Sequence, residues 1–424
     1  MDSKILIKDQ REELFNKISR QNIVKRDILS NLNDYKNNNL IKVTTGIRRS
    51  GKSILTYLML NKDFAYMNFD NFYLANMEHN EIFYKIREVY GNINTIFFDE
   101  IQNINKWELL VERFFDAGYN VFLTGSNASL MDDELATRLT GRNLKINLFP
   151  FSFNEFLSSK NIKMETDTTM NRSLLFNYLD RYMINGGFPD IVVNNVNPKL
   201  FLENLYSDII ERDIIIKRKI KMESSFNEIS QSLISNNSNL ISYNKLKNYF
   251  NIKSVNTVKD YIKYVNESYL TFIIHPFSFK PREIESGNKK VYCIDTGLFN
   301  KISYSNSVNY GVILENLVAL YLLRIKKYYF YGLYIYFYKF TDNEVDFLIM
   351  YRNKITALIN VSYVSDERDI NARKLKALDR ASLNLNCKNI ILVSYDINNE
   401  ITYNGNKIKI MCVYHHPIIY HIII

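Results

Sequence analysis

The chain has 424 residues, 46% of them hydrophobic, a length at which a single core usually gives way to two or three globular domains. Its net charge of +9 permits contact with nucleic acid or an acidic surface, while three widely spaced cysteines exclude a disulfide framework and a C-x-x-C metal site. We therefore expect a cytoplasmic protein. With no recognisable signal peptide and no stretch of ~18 apolar residues, no membrane partner is expected.

The first informative element in chain order is a phosphate-binding pattern, G-x-x-x-x-G-K-S/T, between a predicted strand over residues 40–44 and a predicted helix over residues 54–60. In such a loop the glycines let backbone N–H groups turn toward a phosphate chain, Lys52 reaches the β- and γ-phosphates, and Ser53 ligates Mg²⁺. The positive end of the helix dipole faces the same anion. The predicted nucleotide-binding residues of this element are Gly46, Ile47, Arg48, Arg49, Ser50, Gly51, Lys52, Ser53 and Ile54.

Strand-like and helix-like segments alternate after this loop. Strand-like runs cover residues 64–69, 95–100 and 120–126, and helix-like runs cover residues 81–90 and 107–117. Such alternation predicts βαβ units and a parallel sheet with helices on both faces. Ligands of that architecture bind at the carboxyl ends of the strands, so residues that follow the strands are the candidates for chemistry.

An acid pair follows one of these strands. Asp99 and Glu100 come directly after the apolar run Ile96-Phe97-Phe98, as expected at the end of a central parallel strand. In a phosphoryl-transfer site the first acid holds Mg²⁺, directly or through water, and the second orients and deprotonates the attacking water. We therefore predict Asp99 as a metal ligand beside Ser53, and Glu100 as a catalytic residue.

Two further elements are candidates for contact with the γ-phosphate. The strand end at residues 124–127 carries Ser126 and Asn127, either of which is expected near the acid pair or, alternatively, as the cap of the next helix. A predicted short helix further on carries Arg138 and Arg142. A cation brought to the γ-phosphate, in the same chain or from a neighbouring subunit, stabilises transition-state charge. A surface salt bridge is the alternative for Arg142.

The middle of the chain is predominantly helical in pattern. Residues 171–235 are helix-like with one break at residues 186–189, interpreted as a turn. Two short helices over residues 241–250 and 254–267, followed by a strand over residues 269–275, suggest a winged helix. Its second helix would present Lys253, Lys259 and Lys263. DNA binding is one interpretation, but a packing module is favoured because no arginine cluster lines that helix.

The candidate residues of the C-terminal region are Glu315 on a helix, Asp346 on a strand, and Asn360 and Ser362 on the next strand. This order resembles that of a restriction-endonuclease-like fold. In that arrangement the last strand supplies an acid and a lysine, and the carboxylates hold Mg²⁺. Asn360 and Ser362 replace that acid and that lysine, which weakens the binding of a hard cation. We expect the fold without nuclease activity. The aromatic residues 328–340 are predicted to form two buried strands.

Together these segments resemble the prokaryotic AAA-type ATPases that carry a C-terminal domain of uncharacterised role. The resemblance lies in residues 46–53, 98–102, 123–126, 139–142, 148–156, 186–189 and 206–213, and so covers nearly the whole chain. It implies binding and hydrolysis of Mg-ATP, with the loop residues, Asp99 and Glu100 in the family's roles. The double arginine Arg48-Arg49 is characteristic of the group and adds positive charge beside the phosphates, with a solvated pair as the alternative.

The sequence therefore predicts an α/β protein. The predicted domains are an AAA-type P-loop core at residues 1–158, a helical lid at 159–235, a winged-helix-like module at 236–280 and a restriction-endonuclease-like domain at 281–424. Its expected ligands are ATP and Mg²⁺, and its candidate partners are DNA and a second copy of the chain. Three alternatives stay open: an ATP-regulated nuclease, a nucleotide-gated DNA-binding or signalling switch, and a scaffold with an inactive ATP site, the last disfavoured because the loop lysine, serine and both acids are present.

Overall fold

The computed structural model describes residues 3–20, 22–32, 38–60, 63–127, 139, 141–164, 168–304 and 307–414. Arg138, one of the two predicted cation donors, lies outside these residues. The chain divides into two compact units. The first comprises residues 1–164, 188–196 and 267–269, and the second comprises residues 165–187, 197–266 and 270–424.

The first unit is built on a five-stranded sheet. Its strands are β1 (Ile41–Thr45), β2 (Ala65–Asn68), β3 (Thr95–Asp99), β4 (Asn120–Gly125) and β5 (Asn143–Asn147). The order across the sheet is β2-β3-β4-β1-β5, and every neighbouring pair is parallel. All five residues of β1 are buried, including Lys42, Thr44 and Thr45, as expected for a parallel strand covered on both faces. The predicted parallel α/β sheet is confirmed.

Helices cover this sheet and bury its apolar side chains. They are α1 (Ser3–Ser19), α2 (Lys52–Met59), α3 (Phe72–Ala75), α4 (His79–Tyr90), α5 (Trp107–Asp116) and α6 (Phe153–Ser159), together with the short helix Pro189–Val192. The apolar face of α5 is buried, and Phe114 packs edge-on against Phe98 of β3 with ring centroids 5.3 Å apart. Full burial of such a side chain contributes about 1.5–3 kcal/mol, so this packing holds β3 and its terminal acid in place.

The second unit contains a mixed sheet of nine strands. They are β6 (Leu240–Ile241), β7 (Thr271–Pro276), β8 (Lys289–Cys293), β9 (Leu333–Phe340), β10 (Asn343–Tyr351), β11 (Lys354–Ser362), β12 (Ile390–Ser394), β13 (Asn399–Tyr403) and β14 (Asn406–Cys412). The order is β13-β14-β12-β11-β10-β9-β7-β8-β6. The run β9-β10-β11 is antiparallel, whereas β11, β12 and β14 are parallel. The predicted boundary at residue 280 falls between β7 and β8, which are neighbours in this sheet.

The helices of the second unit are α7 (Thr169–Asn185), α8 (Pro198–Asp208), a π-helix (Ile209–Ile216), α9 (Glu223–Ser235), α10 (Tyr243–Tyr249), α11 (Val255–Glu267), α12 (Pro281–Ser286), α13 (Thr296–Ile302), α14 (Tyr310–Tyr328) and α15 (Ala372–Leu385). The predicted pair of buried strands over residues 328–340 is wrong. Helix α14 extends to Tyr328, and one strand, β9, follows it with only Leu333 and Phe337 buried. Aromatic composition favours strands but does not mark where a preceding helix ends. Within the described residues, no helix has the length and apolar character needed to cross a bilayer.

Candidate nucleotide-binding site

The phosphate loop lies between β1 and α2, at the carboxyl edge of the parallel sheet. Gly46 is required because the carbonyl oxygen of Leu148 would lie 2.0 Å from any Cβ at this position. Gly51 has a φ of +96° and forms the N-cap of α2, a left-handed conformation that favours glycine. Arg49 is also left-handed, with a φ of 66°. The loop is therefore a strained turn that leads directly into a helix N-terminus, a geometry suited to an anion.

Lys52 is buried at the start of α2, with 4% of its surface exposed. Its Nζ donates to the carbonyl of Ile47 at 3.3 Å and lies 3.7 Å from Oε1 of Glu100. The Oγ of Ser50 is buried and has no hydrogen-bond partner among the described residues. A buried unpaired hydroxyl is costly unless a ligand or water satisfies it, so the loop has unused hydrogen-bonding capacity that fits a phosphate.

Asp99 lies at the end of β3 and is buried. Its carboxylate accepts hydrogen bonds from Ser53 Oγ at 3.0 Å, from the Tyr66 hydroxyl at 3.0 Å and from Thr124 Oγ1. Burial and the charge of Glu100 raise the pKa of Asp99, although these hydrogen bonds act in the opposite direction. The adjacent hydroxyl of Ser53 and carboxylate of Asp99 are oxygen ligands of the type that Mg²⁺ prefers.

Glu100 follows in a left-handed conformation, with φ 51° and ψ 47°. Strained backbone of this kind in a non-glycine residue persists only where the surrounding structure fixes it. Its Oε2 accepts from Ser126 Oγ at 2.8 Å and from Gln102 Nε2 at 2.5 Å. Burial acts to raise the pKa of Glu100, but Lys52 and these two hydrogen bonds hold the pKa below its ordinary value. The side chain is therefore an oriented, ionised carboxylate.

A cavity of about 440 Å³ adjoins these residues within the first unit. Its polar wall includes Arg48, Arg49, Gly51, Lys52, Ser53, Asp99 and Glu100, and its other walls include Leu14, Ile23, Val24, Ile54, Leu58, Pro189 and Val193. A pocket of this size with apolar walls and a few convergent polar groups is typical of small-ligand sites. The predicted loop residue Ile54 thus lines the same cavity as the acids.

Three residues of this arrangement have no predicted role in the sequence: Tyr66, Gln102 and Thr124. Thr124 accepts a hydrogen bond from the backbone N–H of Glu100 at 3.1 Å and donates to Asp99, so it joins the two acids. Its position two residues before Ser126 on a strand next to β3 was a usable signal. No sequence pattern indicated Tyr66 or Gln102, because their contacts depend on strand register and on the turn after β3.

Arg142 is not brought to this group of residues. It lies beside the amino end of β1, where its carbonyl accepts from the Ile41 N–H at 2.8 Å, whereas the phosphate loop follows the carboxyl end of that strand. Its guanidinium is 3.4 Å from Asp116, and the two side chains are 47% and 60% exposed. Within one chain Arg142 therefore forms the surface salt bridge that was the alternative interpretation.

The predicted nuclease-like residues lie in the second unit, around a buried lysine. The Nζ of Lys290 is 3.0 Å from Glu315, 2.7 Å from Glu344 and 3.4 Å from Asp346. The Nζ of Lys374 is 2.6 Å from the other oxygen of Asp346. Burial acts to lower the pKa of Lys290, but the phenol of Tyr292 and the three carboxylates raise it well above its ordinary value. Two lysines thus neutralise the carboxylates that the sequence offered as metal ligands.

Asn360 and Ser362 have different positions around this cluster. The Asn360 side chain accepts from the backbone N–H of Asp346 at 2.9 Å and donates to the carbonyl of Lys374 at 3.0 Å. It therefore ties β10 and β11 to α15 instead of serving a cation. Ser362 lies two residues further along β11, in register with Ser394 of β12. In the described ranges, no group of three or more His, Cys, Asp or Glu side chains is placed to hold a metal ion.

Comparisons with known proteins match two family models to successive parts of the chain. A family model described as an AAA domain matches residues 38–157, and a model described as a domain of unknown function (DUF8612) matches residues 177–308. An uncharacterized protein of Haemophilus influenzae is 27% identical over 326 residues, covering 72% of this chain and 80% of that protein. Among solved structures, the Walker-type ATPase PABY2304 of Pyrococcus abyssi aligns with a TM-score of 0.45 and 15% identity, over 66% of this chain and 96% of that chain.

The relationship to one archaeal protein extends over almost the full length of both chains. The uncharacterized protein MJ1544 of Methanocaldococcus jannaschii is 35% identical over 422 residues, covering 94% of this chain and 91% of that protein. The matched residues therefore include most of both units. The chain belongs to the MJ1544 family, and in it an AAA P-loop domain precedes a DUF8612 domain.

Proposed function

We propose that this protein hydrolyses ATP in a Mg²⁺-dependent reaction at the site around Lys52. The observation that carries the proposal is the meeting of Lys52, Ser53, Asp99 and Glu100 at one edge of the parallel sheet, beside a cavity of about 440 Å³. Ligands of open parallel sheets bind at that edge. The AAA domain in which these residues lie supports nucleotide binding independently of the geometry.

Each residue has a proposed role. Lys52 binds the β- and γ-phosphates, and the N–H groups of the loop and of the start of α2 receive the phosphate oxygens. Ser53 and Asp99 would hold Mg²⁺, which when bound neutralises charge on the phosphates. Glu100, held by Ser126 and Gln102, orients the attacking water and accepts its proton. The apolar walls at Ile23, Val24, Pro189 and Val193 suit the nucleotide's base.

The test of this proposal is the release of inorganic phosphate from ATP by the full chain, with Mg²⁺ and with excess chelator. The same assay with single-stranded and double-stranded DNA at several salt concentrations tests the partner, because phosphate contacts make DNA effects fall steeply with salt. Mg²⁺-dependent turnover is expected. Absence of turnover under all these conditions, with ATP bound, would favour the nucleotide-gated switch.

Replacing Asp99 by Asn is expected to raise the Mg²⁺ concentration needed for half-maximal turnover by about 10- to 100-fold, the usual range when support for a metal site is lost. An amide keeps the hydrogen bonds from Ser53 and Tyr66 in part but removes the anionic ligand. The measurement is phosphate release against Mg²⁺ concentration. Asp63→Asn, at an exposed position of the same unit, is the control. An unchanged requirement in Asp99→Asn would contradict the assignment.

The roles of the remaining regions are part of this proposal. The succession β6, α10, α11 and β7 supports a winged-helix-like module at residues 236–280, with Lys253, Lys259 and Lys263 exposed. The strands β9 to β12 and helix α14 support a restriction-endonuclease-like domain at residues 281–424. Together with a lid at residues 159–235, these modules are the proposed recipients of movement driven by hydrolysis at the core of residues 1–158.

Nuclease activity is the alternative that the cluster around Lys290 argues against. A buried ammonium 3.0 Å from Glu315 and 3.4 Å from Asp346 competes with a divalent cation for the same oxygens. We expect no cleavage of plasmid DNA with Mg²⁺ or Mn²⁺, with or without ATP. Cleavage that Asp346→Ala abolishes and Lys52→Ala does not would establish the nuclease in spite of this arrangement.

Two further parts of the proposal concern assembly and location. Arg142 is exposed on the first unit, so its contribution to catalysis requires a homo-oligomer in which it reaches the neighbour's nucleotide. ATP turnover per chain that rises with protein concentration in the wild type and is lower in Arg142→Ala would support this arrangement. We propose a cytoplasmic location because Cys293, Cys387 and Cys412 are buried free thiols.

A further inference from the structure

The segment Phe149–Phe156, Phe-Pro-Phe-Ser-Phe-Asn-Glu-Phe, has no role in the proposed chemistry although it is part of the sequence pattern. In the structure it leads from β5 into α6 within the first unit. Its polar side chains contact the segment around Arg26, which precedes β1 and lies outside residues 38–157 that match the AAA domain. The contact joins residues 129 positions apart in the sequence.

Arg26 has 5% of its surface exposed, and each of the three nitrogens of its planar guanidinium donates a hydrogen bond. Its Nε donates to Oε1 of Glu155 at 3.0 Å, one terminal nitrogen donates to the carbonyl of Ser50 at 2.9 Å, and the other donates to the carbonyl of Phe149 at 2.5 Å. The guanidinium carbon lies 4.8 Å from the ring centroid of Phe151. Arg26 therefore bonds the phosphate loop, at Ser50, to the segment that follows β5.

Glu155 is buried as well, with 2% of its surface exposed, and fixes the orientation of Arg26. Its Oε1 also accepts from the backbone N–H of Asp27 at 2.7 Å, and its Oε2 accepts from the backbone N–H of Ser152 at 2.9 Å. The carboxylate of Asp27 in turn accepts from Ser152 Oγ at 2.6 Å and from Asn154 Nδ2 at 3.0 Å. A buried ion pair is stable only when its remaining hydrogen bonds are satisfied, and here both members meet that condition.

We propose that Arg26, oriented by Glu155, is a positioning residue that holds the phosphate loop in its nucleotide-binding conformation. The Ser50 carbonyl that it binds lies between the two left-handed residues of the loop, Arg49 at φ 66° and Gly51 at φ 96°. Such a turn relaxes unless neighbouring groups hold it, and its N–H groups bind an anion well only when they are preorganised. This inference rests on the proposed function, because it concerns affinity for the nucleotide.

The test is the dissociation constant of Mg-ADP, measured by isothermal titration calorimetry with the full chain and with Arg26→Met, together with KM and kcat for ATP. We expect the dissociation constant and KM to rise on the order of 10- to 100-fold, the range for a misplacement of about 1 Å. The number of binding sites per chain is expected to stay unchanged. A variant that is only less stable shows the opposite: fewer sites per chain with unchanged affinity.

Arg26→Lys and Glu155→Gln complete the series. Lysine keeps the charge beside Glu155 but cannot reach the Ser50 and Phe149 carbonyls together, so only partial recovery of affinity is expected. Glutamine keeps the shape of Glu155 and removes its charge, so a smaller loss is expected. If Arg26→Met does not fold, these two variants carry the test. The matched control is Arg11→Met: Arg11, on α1 of the same unit, packs over the rings of Phe15, Phe64 and Tyr90.

If the Arg26 and Glu155 variants fold and bind Mg-ADP with wild-type affinity, the inference about Arg26 is wrong and the proposed function is unaffected. An equal loss of affinity in Arg11→Met would overturn it as well, because the effect would then follow general stability. Absence of ADP and ATP binding by the wild-type chain would overturn the proposed function, and this inference with it.

Discussion

Glu100→Gln is expected to bind ATP with nearly wild-type affinity and to release phosphate at least about 100-fold more slowly, since general base catalysis contributes roughly 10²–10⁴-fold. Glutamine preserves the size of the side chain and the acceptor for Ser126 and Gln102, so the left-handed turn at Glu100 is retained. It cannot accept the proton of the attacking water. This single substitution is therefore expected to slow ATP hydrolysis while leaving ATP binding nearly unchanged.

Lys52→Ala is the complementary variant, since it is expected to lose ATP binding itself. The measurements are ATP binding by calorimetry and phosphate release under saturating ATP for both variants. Glu88→Gln is the control, because Glu88 is an exposed glutamate of the same unit that pairs with Lys4 and Lys85. Undiminished turnover in both Lys52→Ala and Glu100→Gln would refute the assignment of the site.

Lys290→Met is expected to lower the free energy of unfolding of the second unit by about 3–5 kcal/mol, the usual result of removing one partner from a buried charge cluster. Methionine fills a similar volume but removes the ammonium shared by Glu315, Glu344 and Asp346, and leaves the ion pair of Lys374 with Asp346. The measurement is urea unfolding followed by circular dichroism. Unfolding at the wild-type urea concentration would contradict the role given to Lys290.

The pH dependence of the same variant gives an independent test. Burial and then Asp346 already raise the pKa of Glu315 in the wild type, and removing the ammonium is expected to raise this pKa further. Between its unfolded-state pKa and a raised folded-state pKa, a carboxyl binds more protons in the folded than in the unfolded state. The free energy of unfolding therefore falls as pH rises through that interval. The stability deficit of Lys290→Met should therefore narrow as the pH is lowered from neutral through the raised pKa of Glu315. A deficit that is constant over that interval would contradict this account.

Lys289→Met and the double variant Lys290→Met/Glu315→Gln are the controls. Lys289 is equally buried, but its Nζ donates to backbone carbonyls, including Gly287 at 2.6 Å, so its loss leaves the ion pairs of Lys290 with Glu315, Glu344 and Asp346 in place. For Lys289→Met we expect a smaller loss of stability than for Lys290→Met, and a stability deficit that does not narrow at low pH. The double variant removes one uncompensated charge, so part of the stability lost in Lys290→Met should return.

Features predicted correctly from the sequence depend on short stretches of chain. The parallel sheet follows from apolar runs such as Ile96-Phe97-Phe98, and the phosphate loop follows from a spacing contained within residues 46–53. Parallel strands end at one edge, so the alternation of elements was enough to expect Lys52, Asp99 and Glu100 near one another. The structure places them so, with Lys52 Nζ 3.7 Å from Glu100 Oε1.

Features that the sequence left open or misjudged depend on contacts between distant segments. Arg142 was a candidate for the γ-phosphate, in the same chain or from a neighbouring subunit. Within one chain it lies beside the start of β5, at the amino ends of the parallel strands and away from the phosphate loop. The sequence does not mark Lys290 as a partner of these carboxylates, because it is one of two adjacent lysines at the start of β8, 56 positions from Asp346. Only the pairing of β8, β7, β9 and β10 brings that lysine to the carboxylates.

Local patterning was therefore sufficient for the class of fold and for the position of the phosphate loop beside Asp99 and Glu100, because backbone hydrogen bonding and apolar periodicity act over a few residues. The packing of the whole chain decided which charges are paired. It placed Arg26 against Ser50 and Glu155, and Lys290 among three carboxylates. Buried charges must be neutralised by whichever group the fold brings within about 4 Å, and no spacing in the sequence records that proximity.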